Sequence, residues 1–190
     1  MPGLIFEQAC VLAKGIDYDD KWNSNSESIR EAESWVKVWT SLFARDKSFS
    51  LCRGRSCCLP AVDWSPLNHI MPDAKMTALL ELSTIKEDMY AELYSKESLL
   101  RTPSRRAASM LALTNALSKW EVSNRDVLSE KSPTVVDLQL EYRCTRTLVL
   151  RLSAEPRHRE EVLNDAKAAC RILTEQGSQC GTPAPTSIHR

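Results

Sequence analysis

Apolar residues recur along most of this chain at intervals of three and four, the spacing of one helix face, rather than in the alternation of a strand. Leu4, Ile5, Cys10, Val11 and Leu12 predict a short helix over 4–15, ended by Gly15. A polar loop from Asp17 to Ser28 follows, and Ser28 with Glu31 reads as a capping box. Trp35, Trp39, Leu42 and Phe43 then mark a long helix reaching about Cys52, with Gly54 placed to end it. Met76, Leu79, Leu80, Leu82, Ile85, Met89 and Leu93 form the next stripe, opened by Asp73. Thr102-Pro103 and Ser132-Pro133 each pair a capping side chain with a proline at the first turn. The first opens a helix bearing Ala107, Met110, Leu111, Leu113, Leu117 and Trp120, the second a helix over 134–152 with Val136, Leu140, Leu148 and Leu152. A last helix after Glu155-Pro156 carries Val162, Ala166, Ala169, Cys170 and Leu173. The expected fold is all-α, an irregular multi-helix bundle of five to six helices. A hairpin of Val135–Leu140 and Thr147–Leu152, which partly alternate, is the alternative.

Between the stripes, residues 56–72 hold Pro60, Pro66 and Pro72 and form no single regular element. So long a connection suggests a functional loop or one packed as irregular structure. From Gly177 the chain is rich in Gly, Ser, Thr and Pro. The reading is one helical domain over 1–176 and a disordered tail over 177–190, a length at which one core can close.

Composition removes broad classes of function. Twenty-five basic residues balance 25 acidic ones, which argues against a general electrostatic grip on nucleic acid or on anionic membrane. No run approaches the roughly 18 apolar residues of a membrane-spanning helix. No secretory segment opens the chain, so the seven cysteines are expected reduced, as core or half-buried thiols. Cys52, Cys57 and Cys58 cluster, but no CxxC pair supports a zinc site, and no metal is expected.

Catalytic signals are equally thin. His69, His158 and His189 are the histidines, and no HExxH, GxSxG, P-loop or dinucleotide fingerprint occurs. A Cys58–His69 nucleophile pair needs a proximity that nothing in the sequence fixes. Asp17, Asp19 and Asp20 lack the glycine and closing glutamate of a calcium loop. Arg105-Arg106, Arg143/Arg146 and Arg157/Arg159 are basic clusters, each matched by nearby acids, and read as solvated helix faces. Trp35 and Trp39 read as core, with a hydrophobic ligand pocket as the functional alternative. No catalytic residue and no cofactor are expected.

One pattern is more specific. Trp39, Asp46, Lys47, Ser50, Gly54 and Arg55 stand as W-x6-D-K-x2-S-x3-G-R. This resembles the middle homology region of the fungal zinc-cluster (Zn2Cys6) transcription factors, where a helix of that form ends in D-R-x-x-S-x-x-x-G-R-P. Ala9, Ala13, Gly15 and Ile16, followed by an acidic loop and Glu31, also look like the stretch that precedes it. Asp63, Leu140 with Tyr142, and Ala168-Ala169-Cys170 are compatible but less specific. Lys47 stands for the family's arginine and Ser56 for its proline. The family's Cys-x2-Cys-x6-Cys cluster, basic linker and dimerising heptads do not occur in these residues.

The resemblance covers about residues 5–175 and is strong over 30–56. It implies part of a fungal transcription-factor regulatory domain, beginning inside the family domain, in a regulatory protein without its own DNA-binding domain. It further implies a nuclear location, with the cytoplasm as alternative, and control of a gene cluster such as one of secondary metabolism. The implied partners are proteins, a full-length transcription factor among them, with no direct sequence-specific nucleic-acid binding and no membrane. On the residues alone, Asp46 and Ser50 share a helix face and suit a buried polar knot, with Arg55 folding back over Gly54 as one candidate partner. The rivals are a helical interaction module or relic with no transcriptional role and, further off, an enzyme or small-molecule carrier.

Overall fold

Capping side chains start three of the helices where the sequence places them. In the computed structural model, which describes residues 27–59, 73–153 and 155–180, Asp73 Oδ1 accepts the amide of Met76 at 2.8 Å. Thr102 Oγ1 accepts that of Arg105 at 3.4 Å, with Pro103 at the first turn. Ser132 Oγ accepts that of Val135 at 3.4 Å, with Pro133 in the same role. Each device satisfies one of the helix amides that have no partner one turn earlier.

The described residues form seven α-helices and a π-helical turn, and no strand occurs among them. They are α1 (Glu27–Arg53), α2 (Ala74–Met89), the π turn (Tyr90–Tyr94), α3 (Lys96–Leu99) and α4 (Pro103–Ser123). Then come α5 (Arg125–Ser129), α6 (Pro133–Leu150) and α7 (Pro156–Cys180). The all-α multi-helix expectation holds. The hairpin alternative does not, because Val135–Leu150 is helix throughout. The expected helix over 4–15, the acidic loop, Asp63, His69, His189, the prolines at 60, 66 and 72 and the tail beyond 180 lie outside the described residues.

The described residues fall into two compact units, one through Glu130 and one from Lys131. In the first, α2 packs against α1 on one side and α4 on another. Its own pattern suits that central place: Ala78, Leu80, Leu82, Ser83, Lys86 and Met89 are buried, more than one face can hold. From α1 come Val36, Phe43, Ala44 and Leu51, and from α4 Leu113, Leu117 and Trp120. Trp120 donates its indole N–H to the Ala78 carbonyl at 2.9 Å. Asn124, just past α4, donates to Glu81 at 3.1 Å. After α2 the helix widens into the π turn, whose closing bond runs from the Ser95 amide to the Tyr90 carbonyl at 2.8 Å. Ser95 then caps α3.

In the second unit α6 and α7 pack as a helical pair. Val135, Leu138, Tyr142, Val149 and Leu150 are buried on α6.

Several local expectations are corrected. Ser28 is already helical, so it does not cap α1. The glycine-rich segment from Gly177 begins as helix, because α7 runs on to Cys180. Cys52, Cys144 and Cys170 are exposed rather than core or half-buried, whereas Cys57 and Cys58 are half-buried as expected. Leu111 and Leu173, expected in apolar stripes, are 64% and 55% exposed. The reason is geometric: two helices in contact cover a strip narrower than the apolar arc of either.

Candidate functional site

The W-x6-D-K-x2-S-x3-G-R residues lie along the C-terminal half of α1 and its exit. Gly54 ends the helix at φ 62°, the left-handed conformation that closes a C-terminus most cheaply with glycine. The Arg55 amide then reaches back five residues to the Ser50 carbonyl at 3.0 Å, and the chain reverses along the helix it has just left.

Asp46 holds the returning segment. One carboxylate oxygen accepts the amide of Cys58 and the other that of Leu59, both at 2.9 Å. Lys47 completes the clasp from the next position, its ammonium donating to the Leu59 carbonyl and to Glu87 Oε1, each at 2.8 Å. Leu59 is therefore gripped at both its amide and its carbonyl while its side chain is buried.

The clasp is dry. Asp46 is 1% exposed and Lys47 0%. The Lys47 ammonium lies 3.7 Å from the Asp46 carboxylate and 4.4 Å from the centre of the Phe43 ring. A buried ammonium is costly unless its donors are used, and here a carbonyl, a carboxylate and a ring face receive it. Glu87 comes from α2, so the same group that closes the loop also ties α1 to α2. Beside it Lys86, likewise buried, donates to Ser48 Oγ at 2.9 Å.

Of the remaining motif positions, Ser50 is buried, and its hydroxyl favours the thiolate form of Cys57. Burial pushes that thiol above its ordinary pKa; Lys47 and Ser50 oppose the rise but do not cancel it. Trp39 lies two turns before Asp46 on the same face and is half-buried, and its indole nitrogen finds no hydrogen-bond partner among the described residues. Arg55 contributes its backbone to the turn and has an exposed side chain. The motif's polar centre is thus Asp46, Lys47 and Ser50, and the Asp46 carboxylate meets two backbone amides and a neighbouring lysine.

Sequence reasoning missed Glu87, Lys86 and the backbone of Cys58–Leu59 as members of this cluster. Glu87 and Lys86 sit in a helix whose polar positions look like an ordinary solvated face, and nothing local marks them. Asp46 did carry a signal, since aspartate is a weak helix former and here stands far from either helix end.

A second ionic cluster ties the helices of the second unit. Asp165, 3% exposed, accepts from Arg143 at 3.1 Å and from Arg146 at 2.7 Å. Arg146 also pairs with Glu161. Arg143 and Arg146 are therefore partly buried cross-links, not the solvated face expected of them. Burial still raises the Asp165 carboxyl above the usual carboxylate range, because desolvation outweighs the two guanidinium groups. Among the described residues no group of three or more His, Cys, Asp or Glu side chains is arranged to hold a metal ion, and no described helix is long and apolar enough to cross a membrane. The chain matches no family model, no curated protein and no solved structure.

Proposed function

We propose that this chain is a helical regulatory protein of the fungal zinc-cluster transcription-factor type, acting in the nucleus through protein partners rather than by reading DNA itself. The observation that carries this reading is the use made of Asp46 and Lys47. Their polar atoms are spent on the backbone of Leu59, on Cys58 and on Glu87. Groups committed in this way hold a shape and are not free to act on a substrate. That is the scaffolding role argued from the residues themselves, within the segment 30–56 that carries the resemblance. Control of a gene cluster such as one of secondary metabolism is the corresponding biological setting.

Two measurements test it. Purified chain is titrated with duplex DNA at about 150 mM salt, where non-specific phosphate contacts are weak. Sequence-specific, tight binding would overturn the claim that these residues do not read DNA. The chain is then used to recover partners from fungal nuclear extract, with the Asp46→Ala protein as control. Recovery of transcription components by the wild type alone supports the reading.

The second reading is a helical interaction module without a transcriptional role. It is favoured by the exposed apolar line Leu163, Ala166, Cys170 and Leu173 along α7. Capture of partners unrelated to transcription, lost on Leu163→Lys and Leu173→Lys, would decide for it.

A further inference from the structure

We infer that Thr102 is a phosphorylation site for a proline-directed Ser/Thr kinase of the subclass that selects a basic residue three positions beyond the acceptor. The inference does not depend on the transcriptional reading.

The sequence contains four Ser/Thr-Pro pairs, at Ser65, Thr102, Ser132 and Thr182. Proline has no amide proton, so an acceptor followed by proline suits a kinase whose pocket at that position asks for no hydrogen bond. Three residues beyond the acceptors stand Asn68, Arg105, Val135 and Pro185. Thr102-Pro103-Ser104-Arg105 alone joins the proline to a cationic handle.

The structure makes this acceptor reachable. Thr102, Pro103, Ser104 and Arg105 are all exposed, as are Ala107 and Ala108. The first buried residue of α4 is Leu113, about three turns in. A kinase that must draw the segment into extended form therefore unwinds the first turn without uncovering core. The Thr102 hydroxyl is lightly held, by one 3.4 Å bond from the Arg105 amide. Ser132 has the same local design but is half-buried, and Val135, three residues on, is fully buried.

The surroundings also suit the product. Arg101, Arg105 and Arg106 lie within four residues of the hydroxyl. Phosphothreonine carries roughly −1.5 to −2 charge and strong acceptor oxygens, which arginines and first-turn amides receive well. Arg101 now pairs with Glu92 of the π turn, so the phosphate competes for it. In the transfer, Thr102 Oγ1 bonds to the γ-phosphorus of magnesium-bound ATP as the β,γ-bridging P–O bond breaks. ADP leaves with that electron pair, and the hydroxyl proton passes to the kinase's carboxylate base.

The test incubates the full chain with a purified cyclin-dependent kinase and magnesium ATP, and maps the phosphate by peptide mass spectrometry. One phosphate on Thr102 is expected. It should be retained as phosphoserine in Thr102→Ser, lost in Thr102→Ala and Pro103→Ala, and slowed several-fold in Arg105→Gln. Circular dichroism confirms that each variant is folded before its result is read. Three outcomes overturn the assignment: modification of Ser132 with Thr102 unmodified; an inert chain beside a control Thr-Pro-x-Arg peptide that is modified; or modification of a free 98–108 peptide but not of the folded chain.

Discussion

Asp46 and Lys47 show how a pair of charges can be placed in a core with their polar atoms satisfied. Each would be expensive alone, and each is satisfied by partners that the fold must bring together in any case. The consequence is measurable at single residues. Asp46→Ala leaves the Cys58 and Leu59 amides without their acceptor and removes one neighbour of a buried ammonium. The expected cost is about 3 kcal/mol, the scale of two charge-assisted hydrogen bonds less relaxation. Urea unfolding would measure it, and a change within about 0.5 kcal/mol would show that the clasp contributes no net stability. Gly54→Ala isolates the turn. A Cβ at Gly54 meets no atom within 4 Å, so the cost is the positive φ alone, about 1 kcal/mol. A loss above about 3 kcal/mol would point to a clash or a missing contact instead.

At the scale of elements, the caps were legible in sequence because they are local. Asp73, Thr102 and Ser132 each bond an amide three residues away, and no distant partner can alter that distance. The π turn was not legible. It lets Glu92 reach both Arg101 and Ser109, an arrangement that depends on where α4 lies. The Ser109 hydroxyl and then Arg101 hold the Glu92 carboxyl below its usual range. A carboxyl lowered on folding stabilises the protein above its unfolded value of about 4.3, and loses that contribution as the pH falls through the folded value. Glu92→Gln should therefore lower the unfolding midpoint slightly at pH 7, and the gap from wild type should close as the pH approaches 3. The effect is small because this carboxylate is well solvated. A gap that widened in acid would contradict the assignment.

The molecule as a whole carries zero formal net charge, and part of that balance is structural. Arg143 and Arg146 are matched by Asp165 and Glu161, and Lys47 by Asp46 and Glu87. The chain also divides at Glu130/Lys131, where both residues are exposed and lie between α5 and α6. Brief native trypsin treatment should therefore cut after Lys131 before it cuts at Lys119, Arg125 or Lys167 inside helices. Mass spectra over time follow the order, and earlier cutting at Lys119 would count against a boundary at that point. By itself the sequence determined the all-α class, the starts of α2, α4 and α6 and the glycine end of α1. These rest on spacing, capping and a left-handed residue, which act over a few positions. Only the tertiary structure decided that Lys47 is buried, that Glu87 is its partner, that Asp165 joins two arginines and that Leu111 and Leu173 face solvent. Burial and ion pairing depend on which helix arrives opposite, and that is set by the packing of the chain as a whole.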